Sequence, residues 1–279
     1  MERSPIRWWQ WPTVLSLDAP LVALAWQEAF AQAAGARLGP APRFVLGASV
    51  WLSYAGDRWF EGWRLSPEAI RTQRHFVYQR WRWPVCALGW AVIGADLYTA
   101  YHFLSPRDLQ AGYCLLGPVL AYLFSRPLLG HRRGWQPPKE AWIALLFGAG
   151  SSLFVLSAAP RSLARIALPL GLFMVLCFAN CALISVWEEE VDRQHGQVSF
   201  HRQFPAAERL CRALPWALAA AAALALPLTA GGARAAAACA GASGLLLGAV
   251  DRLEPRLGRR GARVLADLVL LTPWLAFLF

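Results

Sequence analysis

The sequence predicts an all-α fold, a polytopic membrane helical bundle of about nine transmembrane helices arranged as two four-helix halves plus a ninth helix. Three observations predict it. Of the 279 residues, 57% are hydrophobic and only 16% charged, at a mean hydropathy of +0.36, where a soluble domain carries about 25% charge. The apolar residues are gathered into runs close to the roughly 20 residues that a bilayer-spanning helix needs. The basic residues between those runs alternate in density. The N-terminus and every second loop after it hold 21 of the 27 Lys and Arg, the asymmetry expected when one side of the membrane is cytoplasmic.

Taken in order, the spans are expected near 13–34, 42–56, 85–104, 109–124, 141–158, 163–187, 214–230, 235–250 and 264–279. The first is interrupted by Asp18, Gln27 and Glu28, and the others are nearly free of charge. The chain opens with MERSPIRWWQWP, which has no apolar core of the signal-peptide kind, so no removable leader is expected and Trp8, Trp9 and Trp11 read as an interfacial anchor. The basic asymmetry puts the N-terminus in the cytoplasm, and a bacterial inner membrane is the expected location. The whole chain, 1–279, reads as one integral membrane domain, with cytoplasmic cap loops near 57–83 and 188–212. In the first loop, Ser66, Pro67 and Glu68 have the N-cap, first-turn proline and early acid of a helix running on through Arg80.

Net charge is +10, carried almost wholly by arginine, since Lys139 is the single lysine. Such a balance suggests nucleic acid first. The arginines alternate with membrane-length runs and form no single patch, so no nucleic-acid partner is expected. The six cysteines fall in or beside apolar runs with no CxxC pair, and read as small core residues in preference to metal or disulfide sites.

The chemistry is concentrated at two helix ends. The segment WLSYAGDRWFEG, 51–62, presents Asp57 and Glu61 where the second span meets water. EEEVDRQHG, after the sixth span, presents Glu188 and Asp192 at the same spacing. Positions i and i+4 share a helix face, so each pair points one way. Four spans separate the pairs, which suggests a repeated half with a site at its interface. Paired carboxylates beside arginines suit a magnesium-bound phosphate, because Mg2+ takes oxygen ligands, keeps several waters and is held by one or two carboxylates with substrate phosphates. On this reading Asp57, Glu61, Glu188 and Asp192 are the metal and catalytic residues. Arg71, Arg74, Arg132, Arg133 and Lys139 supply charge to phosphate oxygens. Tyr54 and Asn180 sit where they could line the same cavity, and Asp18 could face an acceptor pocket. The substrate's other end has to be apolar, as an isoprenoid chain is. Among the remaining ionisable residues in the spans, Glu28 could share the acceptor pocket, whereas His102 and Asp267 read as interfacial.

On these residues the chain resembles the UbiA superfamily of intramembrane prenyltransferases, which have nine helices and acidic motifs after the second and sixth. The family's NDxxDxxxD falls on Ser53, Tyr54, Asp57 and Glu61, so its later two acids are present and its leading Asn and Asp are replaced. DxxxD followed by glycine falls on Glu188, Asp192 and Gly196. Lys139, opening the fifth span, is similar to a basic residue that the family places near the diphosphate, and the arginine expected in the first span is absent, with Asp18 close to its place. The resemblance implies transfer of a prenyl group from a prenyl diphosphate to an aromatic, quinone-precursor or other lipophilic acceptor, with Mg2+ assisting diphosphate departure in the presence of membrane lipid. Tyr54 or Glu189 could compensate for the lost ligand. The alternative is a non-catalytic relative that binds an isoprenoid lipid or a protein partner. A transporter fits the repeat but not the position of the carboxylates at the mouth.

Overall fold

The computed structural model describes residues 6–64, 72–129, 138–194 and 199–276, and among these every regular element is helical. The α-helices are α1 (Trp11–Val14), α2 (Asp18–Ala34), α3 (Pro40–Arg64), α4 (Gln73–Arg80), α5 (Arg82–Phe103), α6 (Pro106–Leu129), α7 (Lys139–Ala158), α8 (Leu163–Trp187), α9 (Glu189–Gln194), α10 (Phe200–Gln203), α11 (Glu208–Ala225), α12 (Gly231–Leu268) and α13 (Thr272–Ala276). Helix α12 is bent at Gly258, whose φ of 70° and ψ of 155° lie outside the helical region and suit glycine. Pro255, which lacks an N–H, weakens the same turn. The long helices, with α12 divided there, make nine rods among the described residues, close to the expected spans.

By length and composition alone, four segments are long and apolar enough to cross a membrane: 139–158, 160–187, 205–228 and 231–276. A fifth arises if Trp8–Val14 and Asp18–Ala34, bent by 74°, form one span. That bend corrects the expected first span. The chain breaks at Ser16, which has a positive φ of 57°, and α2 starts at Asp18 instead of near residue 13. A carboxylate in a helix's first turn is favoured by the exposed N–H groups there, so Asp18 marks a helix start and does not interrupt a helix.

The two halves repeat their contacts. Helix α3 packs on α2 and α5, and α8 packs in the same order on α7 and α11; α2 with α12 and α6 with α7 join the halves. At the far end of α2, Gly35 turns left-handed (φ 69°) and Ala36 N donates to Ala31 O at 2.8 Å, a glycine C-cap that reverses the chain into α3. The core between halves is aromatic. Trp26 of α2 stacks on Phe173 of α8 with centroids 4.3 Å apart, and its indole N–H donates to Leu270 O at 2.9 Å. Elsewhere small residues let backbones approach, as membrane helices require when lipid is as apolar as the core. A Cβ on Gly244 would stand 2.9 Å from Pro215 O. Helix α5, by contrast, packs on α3 but buries none of its residues.

Candidate active site

The two acidic motifs, far apart in sequence, meet in one cavity of about 150 Å³. Helix α3 carries Asp57 and Glu61 to it on one face. Helix α8 ends at Trp187, Glu188 caps it outside helical geometry, and α9 carries Asp192; the i, i+4 relation survives because Asp192 N donates to Glu188 O at 2.9 Å. Of the residues expected from the sequence, Asp57, Glu61, Glu188, Asp192, Lys139, Arg74, Tyr54, Asn180 and Asp18 all line this cavity. Arg71, Arg132 and Arg133 lie outside the described residues.

Glu61 and Glu188 have cationic or hydrogen-bonding partners. Arg263 Nη1 donates to Glu188 Oε2 at 2.6 Å and Arg74 Nη2 to the same oxygen at 3.3 Å. Burial alone would raise the Glu188 carboxyl, but Arg263 and then Arg74 outweigh it and hold it down at about 2. Arg74 answers to burial first, then to Arg263 and Arg58 facing it, and falls to about 9. Glu61 is reached by the ring of His75, whose Nε2 stands 2.7 Å away, and by Arg58 at 3.7 Å. The Thr72 hydroxyl is 2.6 Å from His75 Nδ1. Burial lowers the His75 imidazole to about 4. Neutral at pH 7, it donates from Nε2 to the Glu61 carboxylate and accepts from Thr72 at Nδ1, so its tautomer is fixed by its partners. Asp192 is 6% exposed, and Arg202 donates to its backbone oxygen at 3.3 Å.

A second, larger cavity of about 710 Å³ lies among α3, α5, α6 and α7. Its wall is apolar, with Val45, Ile93, Leu97, Leu115, Leu146 and Leu153 among the lining residues. Six residues line both spaces: Tyr54, Asp57, Arg58, Tyr122, Ile143 and Phe147. The polar mouth therefore adjoins an apolar chamber, with the Tyr54 and Phe147 rings edge-to-face at 6.2 Å where they meet.

The oxygen donors fit Mg2+ in kind. Among the described residues no three His, Cys, Asp or Glu side chains converge as a ready metal cage. Mg2+ needs no such cage, since one or two carboxylates and a substrate phosphate suffice. Among the described residues the cavity wall carries seven carboxyl groups against four Lys and Arg, with Asp57 and Asp192 contributed one from each motif. Glu61 and Glu188 instead hold His75 and the arginines in place.

Several sequence expectations need correction. Asp267, read as interfacial, lines the cavity next to Asn180, whose amide N–H₂ donates to Ala266 O at 3.3 Å and to Asp267 Oδ1 at 3.4 Å. Its position four residues after Arg263 in RVLAD puts both on one helix face, which was the available signal. Glu28 is not in the cavity; it pairs with Arg43 at 2.8 Å. Glu189 lies beside His201 at 3.4 Å with its side chain 58% exposed, and does not line the cavity. Arg58 and Arg263, which sequence reasoning counted only toward topology, are site residues here. Glu140, fully buried, accepts from Phe200 N at 3.0 Å and ties the second cap segment to the head of α7.

The fold and this mouth-and-chamber arrangement define an integral membrane protein of all-α architecture whose two halves share a polar site. In structure the chain is similar to a UbiA homolog from Aeropyrum pernix K1, solved in its apo form, with a TM-score of 0.59 and 18% identity over 95% of this chain and 99% of that one. The resemblance read from the two motifs thus holds at the level of the fold. No family model and no curated protein matches the sequence.

Proposed function

We propose that the protein is an intramembrane prenyltransferase that takes a prenyl diphosphate and a lipophilic acceptor. The observation that carries this reading is the joining of two spaces: a charged mouth built from both acidic motifs, and an apolar chamber of about 710 Å³ sharing Tyr54, Asp57, Arg58 and Phe147 with it. An amphiphile with a diphosphate head and an isoprenoid tail has that shape and polarity. In this proposal Arg58, Arg74, Arg263 and Lys139 orient the diphosphate, with arginine suited to bidentate contact. Asp57 and Asp192 would hold Mg2+ against its oxygens, and the metal would supply positive charge to the leaving group.

The carbon–oxygen bond to the allylic carbon breaks, its electron pair leaves with the diphosphate, and the acceptor's nucleophilic atom bonds to the allylic carbon and then gives up a proton. The protein's part is to keep water from the cation and to face it with aromatic and apolar walls, Tyr54 and Phe147 nearest the junction. A cytoplasmic mouth is part of the proposal, supported by the basic asymmetry of the loops, and a bacterial inner membrane is proposed with it.

The test is release of diphosphate from a prenyl diphosphate by the purified protein, with Mg2+ and with chelator. Asp57→Asn and Asp192→Asn should each abolish metal-dependent release. Full activity in both variants would sink the proposal. A second reading, a non-catalytic isoprenoid-binding or partner-binding relative, is favoured by the capture of Glu61 and Glu188 by His75 and the arginines. It predicts binding of the prenyl diphosphate without release.

A further inference from the structure

The floor of the polar cavity has a chemistry distinct from its mouth. Asp18 enters it from the start of α2, and Asp267 and Asn180 from α12 and α8. Asp18 and Asp267 face each other closely enough to hydrogen-bond when one of them carries a proton. Among the described residues neither makes an ion pair. Asn180 is 5% exposed, and its Oδ1 has no hydrogen-bond partner. The orientation of that amide is set by its surroundings: two acceptors, Ala266 O and Asp267 Oδ1, stand on one side of it, so the N–H₂ faces them and the carbonyl oxygen is left over. A buried acceptor without a donor is costly, and natural structures leave few of them. The floor thus offers a carboxyl pair that can share one proton, with Arg263 one helical turn from Asp267, and one orphaned amide oxygen that asks for a donor.

We propose that this floor is the acceptor subsite and that it selects a neutral or cationic molecule bearing a hydroxyl or amine, against carboxylates. A hydroxyl or ammonium group can satisfy Asn180 Oδ1 and one aspartate together. A carboxylate cannot donate to Asn180 Oδ1 and would bring a further negative charge up to the Asp18–Asp267 pair. The rings of Tyr54 and Phe147, edge-to-face at 6.2 Å, line the same cavity and offer an apolar surface for the body of such a molecule. This inference rests on the prenyl-transfer reading for the reaction, but its binding chemistry can be tested without any transfer.

The experiment is equilibrium binding to the full chain in detergent, with chelator and no diphosphate, of three probes on one phenolic skeleton: tyramine (cationic), 4-(2-hydroxyethyl)phenol (neutral) and 4-hydroxyphenylacetate (anionic). Tyramine and the neutral alcohol are expected to bind at least tenfold tighter than the carboxylate. Asp18→Asn together with Asp267→Asn should narrow that ratio to under threefold, and Asn180→Leu should weaken both donors. Should the double variant not fold, Asp18→Asn alone, at a helix start, should narrow the ratio in the same direction. Carboxylate binding as tight as the others, discrimination unchanged by Asp18→Asn, or no binding of any probe would each overturn the inference. Failure of the prenyl-transfer reading has a different signature, absence of metal-dependent diphosphate release, and leaves these ratios unaffected.

Discussion

Replacing Glu188 by glutamine removes the one carboxylate that both Arg263 and Arg74 engage, at 2.6 and 3.3 Å, in a setting where all three side chains are 12–17% exposed. Each contact is worth about 5–6 kcal/mol in gross Coulomb energy at an effective dielectric constant near 20. Most of that offsets desolvation, and the measurable quantity is what happens when one partner is lost. Breaking a buried pair leaves an uncompensated charge and costs about 3–5 kcal/mol. Glu188→Gln strands two guanidiniums that repel each other, whereas Arg263→Gln leaves Glu188 still held by Arg74. The glutamate variant should therefore lose more stability, and the double variant should lose less than the sum of the two, with a coupling of about 1.5 kcal/mol or more. Unfolding by SDS in mixed micelles, followed through the 15 tryptophans, measures all three. Losses under about 1 kcal/mol that simply add would refute the clamp and leave Glu188 free as a metal ligand.

Acidification should loosen the first cap helix. The His75 imidazole titrates near 4 when folded against an ordinary value of about 6.5, so the unfolded chain binds a proton that the folded chain does not, and stability falls as pH drops through that window; unfolding midpoints at pH 7.5 and 5 should differ, and less so in His75→Asn. Gly244→Val should destabilise by about 1–3 kcal/mol, because a Cβ there meets Pro215 O at 2.9 Å and α11 must move away from α12; the same micelle titration checks it. Gly89→Phe, at a chamber-lining position where a Cβ meets nothing within 4 Å, should leave stability unchanged and lower the longest prenyl diphosphate the protein binds, measured by competition across chain lengths.

The bundle was legible in the sequence because membrane-length apolar runs are a one-dimensional signal, and the 163–187 helix was read to the residue. The first span was misjudged at its start because hydropathy has no sign for a left-handed Ser16, which moves Asp18 from mid-helix to a helix start. Both acidic pairs were visible from their i, i+4 spacing. Their partners were not: Arg263 and Glu188 are brought together only by the packing of α12 on α8, and no linear pattern states which arginine of a basic loop turns inward. His75 likewise reads as one more polar residue in a cap until α4 lies beside α3 and puts its ring on Glu61. The donor-seeking floor was half visible. Asp18 stood out as a charge in an apolar run, while Asp267 passed for an interfacial residue because its neighbours across the cavity come from α2 and α8.

The central claim is that the joined cavities hold a prenyl diphosphate head-first at the acidic motifs. Direct binding of geranylgeranyl diphosphate to the purified protein in detergent, with and without Mg2+, tests it most directly. Binding that strengthens with the metal and disappears in Asp192→Ala is the result predicted here. Absence of metal-dependent binding across several chain lengths would contradict it, and would mean that the fold has been kept while the diphosphate chemistry has not.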